Sequence, residues 1–150
     1  MAVSKACLVR LDAAEARDRF ARSQVLRLAS VDGKGQPHVV PCTFAVDGDW
    51  RVAIGIDNKP KSSTFLRRLK NIEVNPRVSL LVDHYDDHWE QLWWVRADGF
   101  ATIERSGADY DQHWDELRSK YRQYGGQRLD GPVIVVEVET WSGWAFAPGR

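Results

Sequence analysis

Two hydrophobic rhythms alternate along the chain, and they predict where strands and helices lie. Leu11–Arg22 has the spacing of a short amphipathic helix, with Asp12 as N-cap and Glu15 three residues on. Gln24–Val31 follows as a strand, and Asp32-Gly33-Lys34-Gly35 predicts a hairpin turn into a second strand, Pro37–Val46. Pro41 marks an irregularity or a sheet edge in that strand. Asp47-Gly48-Asp49 is a further turn, leading to a strand over Trp50–Ile56. A polar loop, Asp57–Lys61, separates this strand from a helix over Ser62–Asn75, whose Phe65, Leu66, Leu69 and Ile72 form one stripe. Arg77–Asp83 reads as a strongly apolar strand and His84–Gln91 as a polar, acidic loop. Leu92–Glu104 reads as a long strand with a bulge or bend near Asp98-Gly99. Gly107–Tyr124 is a second long helix, ended by Gly125-Gly126, and Pro132–Phe146 is the last strand, bent near Ser142-Gly143.

Strands joined by tight turns pair antiparallel. The helices are too few and too unevenly spaced for a doubly wound parallel sheet. The expected fold is therefore mainly β (α+β): a six-stranded antiparallel barrel with flanking helices, formed by residues 1–150 as one domain.

Composition narrows the function. With 21 basic and 21 acidic residues the formal net charge is zero, which argues against a nucleic-acid or anionic-membrane binder. No apolar run reaches the length of a membrane helix, and the N-terminal segment lacks the apolar stretch of a signal peptide. The two cysteines, Cys7 and Cys42, form no CxxC pair, so no disulfide framework is expected and a cytoplasmic location fits. Seven tryptophans exceed what a core of this size needs; some are expected at an interface or against a flat ligand.

The stretch Asn58-Lys59-Pro60-Lys61-Ser62-Ser63-Thr64 carries the clearest chemistry. It joins a strand to the start of a helix, where free backbone N–H groups and the helix dipole attract an anion. Lys59 and Lys61 add charge, Ser62 is positioned to cap the helix, and Ser63 and Thr64 add hydroxyl donors. These groups suit a phosphate monoester; the alternative is a solvated loop with an ordinary serine cap. His84-Tyr85-Asp86-Asp87-His88 places two histidines four apart, but in a loop and without a third ligand, so no metal is expected. No GxSxG, GxxxxGK[ST] or GxGxxG occurs, and Cys42 sits in an apolar strand. Chemistry supplied by a bound cofactor fits better than a hydrolytic triad. Trp93 and Trp94 point to opposite faces of a strand, one towards the core and one towards a partner or ligand.

The run from Lys59-Pro60-Lys61-Ser62 through Leu69-Lys70-Asn71-Ile72-Glu73-Val74-Asn75-Pro76-Arg77-Val78 into Ser79-Leu80-Leu81-Val82 resembles the pyridoxamine-phosphate-oxidase-like split β-barrels. His38–Phe44 and Trp94–Ala101 are similar to the same family, and the nearest likeness is to its F420-dependent branch. The resemblance implies a split barrel of the FMN-binding type. It also implies a homodimer with two cofactors in clefts at the subunit interface. By the same resemblance Lys59, Lys61, Ser62 and Ser63 would hold the cofactor phosphate. Pro41, Cys42 and Thr43, with Ile54, Gly55 and Ile56, would border its ring. Trp93, Arg96, Trp141 and Trp144 would approach from the other subunit.

The implied activity is hydride transfer between a deazaflavin, F420, and a small conjugated substrate. An arginine-rich composition, the bias of a GC-rich genome, agrees with F420. FMN is the alternative cofactor, and a non-catalytic flavin- or tetrapyrrole-binding protein is the alternative function.

Overall fold

The computed structural model describes residues 7–56, 63–126 and 129–147. Strand β1 (Cys7–Arg10) leads into helix α1 (Ala13–Arg22), which starts where Asp12 accepts a hydrogen bond from the Glu15 N–H at 2.8 Å. Strands β2 (Leu26–Val31) and β3 (Pro37–Cys42) form the first hairpin. Its turn closes because the Asp32 carboxylate accepts from the backbone N–H groups of Lys34 and Gln36, and because Gly35 adopts φ +83°. Short β4 (Ala45–Val46) and β5 (Val52–Gly55) form the second hairpin. Helix α2 (Ser63–Val74), β6 (Arg77–His84), β7 (Trp93–Glu104), α3 (Ala108–Lys120) and β8 (Val133–Ala147) follow.

All strand pairs are antiparallel, and the path across the sheet is β3-β2-β6-β7-β8-β5-β4, with β1 added along β8. Among the described residues eight strands therefore replace the six expected. The difference arises at two places: β1 was not anticipated, and Pro37–Val46 is not one strand but two. Those two, β3 and β4, stand at opposite ends of the sheet path. Laid flat, six interstrand steps would put them about 29 Å apart. Only Thr43 and Phe44 separate Cys42 from Ala45, a span of about 11 Å at most. The sheet must therefore curl until its two edges nearly meet, and the chain crosses the seam at Thr43-Phe44. This is the split half-barrel. Pro41 lies in β3, an edge strand, where its missing N–H costs no ladder bond.

The curl encloses a core built from both ends of the path: Leu28 of β2, Leu80 of β6, Val95 of β7, Ile134 of β8 and Ile54 of β5 share one buried cluster with Phe20 and Phe44. Leu69 and Ile72 bring α2 into this cluster, and buried Asn71 donates to the Ser30 hydroxyl at 3.1 Å. A second layer packs Tyr110, Trp114, Leu117 and Tyr121 of α3 and its C-terminal end on the opposite side of β5 and β8. Lys120 ties α3 to the end of α1 by donating to the Ala21 and Ser23 carbonyls, and burial pushes its amine down to about 8.

The expected irregularity near Asp98-Gly99 is a bulge: Asp98 pairs with Thr140 and Gly99 with Val138, leaving Glu139 between them. A Cβ on Gly99 would lie 2.0 Å from the Glu137 carbonyl oxygen, a clash with backbone that no rotamer relieves. Gly99→Ala is expected to cost about 3 kcal/mol, read as a lower urea midpoint.

Candidate functional site

The seam is where chemistry-bearing residues gather. Phe44 is held there at both backbone groups by one phenol: its N–H donates to Tyr121 Oη at 3.0 Å, and its carbonyl lies 3.0 Å from the same oxygen. Tyr121 also reaches the Gln24 carbonyl at 2.9 Å, so α3 clamps the start of β2 to the crossover. Burial raises the Tyr121 pKa, which keeps the phenol a donor. Thr43 Oγ1 and Tyr124 Oη lie 2.6 Å apart on the neighbouring step. Cys42 is buried in the core cluster, with the Arg68 guanidinium of α2 3.5 Å from its sulfur. Burial raises the thiol pKa more than Arg68 lowers it, so Cys42 is a packed thiol rather than a thiolate nucleophile.

The ring-bordering set from the sequence is split by the sheet. Ile54 and Ile56 are buried, and Gly55 packs so closely under Trp114 that a Cβ there would sit 2.6 Å from the indole. Pro41 is exposed on the outer face beside Arg27. The phosphate-loop residues Lys59, Lys61 and Ser62 lie outside the described residues, and Ser63 is the first residue of α2. The tryptophans divide as well. Trp93 and Trp94 do take opposite faces. Trp141 turns inward, its ring edge-on to Phe20 at 5.1 Å, and is occupied by the core. Trp144 lies opposite Trp94 across the β7–β8 ladder, and Arg96 opposite Ser142.

The outer face carries residues that sequence reasoning did not single out. A cavity of about 550 Å³ lies there, lined by Arg27, Ala29, Val39, Ser79, Leu81, Asp83, Trp94 and Arg96. Its floor is apolar, and Val39 and Leu81 are 61% and 37% exposed. Charged pairs rim it: Arg27 meets Asp83 at 3.1 Å, and Arg96 donates to Asp98 at 2.9 Å while the Ser79 hydroxyl donates to the other Asp98 oxygen at 2.6 Å. A second cavity, about 470 Å³, adjoins it through Ala29 and Ser79 and is lined at its polar end by Arg77, Asp98 and Glu139. The signal for this face was present in the continuous run Ser79-Leu80-Leu81-Val82. A strand apolar on both sides is covered on both sides.

A different polar cluster lies behind α3. His113 is 1% exposed with carboxylates at both ring nitrogens, Asp47 at 3.0 Å from Nε2 and Glu104 at 3.2 Å from Nδ1. Arg51 joins Asp47 at 2.7 Å. Among the described residues no group of three or more His, Cys, Asp or Glu side chains is arranged to hold a metal ion.

A family model described as pyridoxamine 5'-phosphate oxidase matches residues 13–145. The chain belongs to that family. No curated protein matches it. Solved structures share the split barrel across nearly all of it. A FAD-binding protein from Mesorhizobium loti is 21% identical, covering 95% of this chain and 98% of its own, with a TM-score of 0.71. A conserved hypothetical protein from Mycobacterium tuberculosis is 19% identical, with coverage of 90% and 85% and a TM-score of 0.74. HutZ, the heme storage protein from Vibrio cholerae, is 22% identical, with coverage of 91% and 93% and a TM-score of 0.66. The likeness stated from the helix-to-strand motif thus holds for the family. No helix among the described residues is long and apolar enough to cross a membrane.

Proposed function

We propose that this member of the pyridoxamine 5'-phosphate oxidase family is an oxidoreductase. It would hold a flavin-type cofactor between two copies of the chain and pass hydride to or from a small conjugated substrate. The observation that carries this reading is the outer-face cavity, an apolar floor of Ala29, Val39 and Leu81 beside Trp94, with ionic rims. A flat ring fits an apolar floor with an aromatic wall, and polar rims fix its orientation. When bound, the cofactor supplies the redox chemistry.

The chain's own work is placement. The Tyr121 clamp keeps the crossover backbone in one position, and Leu81, Val39 and Trp94 exclude water once covered by the second copy. Lys59, Lys61, Ser62 and Ser63 would hold the phosphate, with Pro41, Cys42 and Thr43 near the ring. The buried placement of Cys42, Ile54 and Ile56 favours a backbone role for them over a side-chain role.

F420 is the cofactor favoured by the likeness to that branch and by the arginine-rich composition. FMN is its alternative, and a flavin reading is supported by the FAD-binding protein among the similar structures. The test is a side-by-side fluorescence titration of apo-protein with F420 and FMN, with sedimentation velocity on the same sample. Tighter binding of F420 by a dimer supports the deazaflavin reading, and tighter binding of FMN moves the chain to the flavin branch. Binding of neither, or a monomer at micromolar concentration, overturns the interfacial site. A second reading, a carrier that holds a flat ligand without turnover, is favoured by the likeness to HutZ. It predicts tight binding and no reoxidation of the reduced cofactor by any acceptor.

A further inference from the structure

A second groove runs between helix α1 and the ends of β2, β6 and β7. Its volume is about 620 Å³, and its chemistry differs from that of the outer face. Arg19, Arg22 and Arg27 line it, with Glu15, Asp83, His84 and Trp93. His84 stacks on Trp93, centroids 6.2 Å apart and planes 20° from parallel, and the Arg19 guanidinium lies 5.4 Å from the same indole. His84 is exposed, so its free face extends the aromatic stack into the groove.

Three guanidiniums thus line a groove that holds a two-ring stack, Arg19 against the stack itself, with two lining carboxylates. Each arginine already has a partner: Arg19 pairs with Glu15 at 3.0 Å, Arg22 with Asp18, and Arg27 with Asp83 at 3.1 Å. All six side chains are solvent-exposed to a substantial degree, and exposed pairs of this kind are weakly held. A ligand anion that accepts from two guanidinium forks at once competes well with them. Arg27 and Asp83 line both this groove and the outer-face cavity, so the two spaces meet at that ion pair.

We propose that the α1 groove binds a planar aromatic anion, its ring stacked on His84 and Trp93 and its carboxylate or phosphate held by Arg19, Arg22 and Arg27. Placing this molecule as the substrate of the reaction rests on the function proposed above; its binding does not. The anion would anchor beyond Arg27–Asp83 and leave its uncharged end directed towards the outer face. Trp93, which the family likeness implies as a cofactor contact, lines this groove.

The test is a titration of the full chain with naphthoate, the neutral isostere naphthylmethanol, adenosine monophosphate and inorganic phosphate, read by tryptophan fluorescence and calorimetry. Naphthoate or the nucleotide is expected to bind at least about tenfold tighter than the alcohol or phosphate alone, and to weaken with added salt. Arg22→Ala, at an exposed position of α1, and Arg19→Ala, at a half-buried one, should each weaken anion binding by about tenfold. The same variants should leave FMN or F420 affinity within about twofold. Equal binding of the alcohol, or anion binding indifferent to both arginine variants, overturns the groove while leaving the cofactor site standing. Cofactor that fails to bind while naphthoate binds through the arginines overturns the proposed function and leaves the groove.

Discussion

Asp47→Ala is expected to lower the unfolding free energy by about 3–5 kcal/mol, because it removes one member of a buried charged cluster and strands the others. Asp47 and His113 are 2% and 1% exposed, and the carboxylate serves four donors: His113 Nε2, the backbone N–H groups of Asp49 and Arg51, and the Arg51 guanidinium. Without it, among the described residues, His113 keeps Glu104 near Nδ1 and Arg51 keeps an exposed contact to Asp109 at 3.4 Å. The melting temperature should fall by about 10 °C. The effect is also pH-dependent. Burial by itself raises the Asp47 pKa, but the hydrogen bonds from His113, Arg51 and Asp49 outweigh it and hold the carboxyl below its usual 3.8. A depressed carboxyl stabilises the fold above its unfolded value and loses that contribution as pH falls through the folded one. Urea midpoints measured downward from neutral pH should therefore converge: wild type loses stability below about 3.8 while Asp47→Ala stays flatter over the same window. Parallel curves would mean that Asp47 is not the group responsible.

The second large effect concerns the cofactor. Lys59→Ala with Lys61→Ala is expected to weaken binding of F420 or FMN by about a hundredfold or more, as two charge-assisted contacts to a phosphate are lost. Thermal stability of the apo-protein should change little, because neither lysine belongs to an apolar stripe of the sequence. A dephosphorylated analogue, riboflavin in the FMN case, should bind wild type and double variant alike. Unchanged phosphate-cofactor affinity would remove these lysines from the site.

Several features were legible because they depend on neighbours in sequence. Asp12 and Glu15 mark the start of α1, and Asp32 with Gly35 makes the first turn; each is local backbone chemistry. Trp93 and Trp94 had to face opposite ways, since alternation is a property of any strand. The family likeness also rested on a contiguous run, from the α2 helix into β6, and the comparison bears it out.

Other features needed distant partners. The break between β3 and β4 was hidden because Cys42, Thr43, Phe44 and Ala45 continue an apolar pattern. The chain changes sheet edge there because the barrel curls and Tyr121, seventy-seven residues beyond Phe44, receives the crossover. The roles of Trp141 and Trp144 turned on register: the extra residue at Glu139 shifts the alternation of β8, so Trp141 enters the core and Trp144 meets Trp94 outside. His113 reads from sequence as one polar residue on a helix, and only folding brings Asp47 and Glu104 to its two nitrogens.

What the amino-acid order alone determined was most of the elements, their antiparallel pairing and one family, because periodicity, turn chemistry and capping act over a few residues. Tertiary structure alone decided which apolar side chains were left outside, at Val39, Leu81 and Trp94, and which charges met across them. Burial, and the pairing of charges between strands, are properties of surfaces that exist only once the sheet has curled.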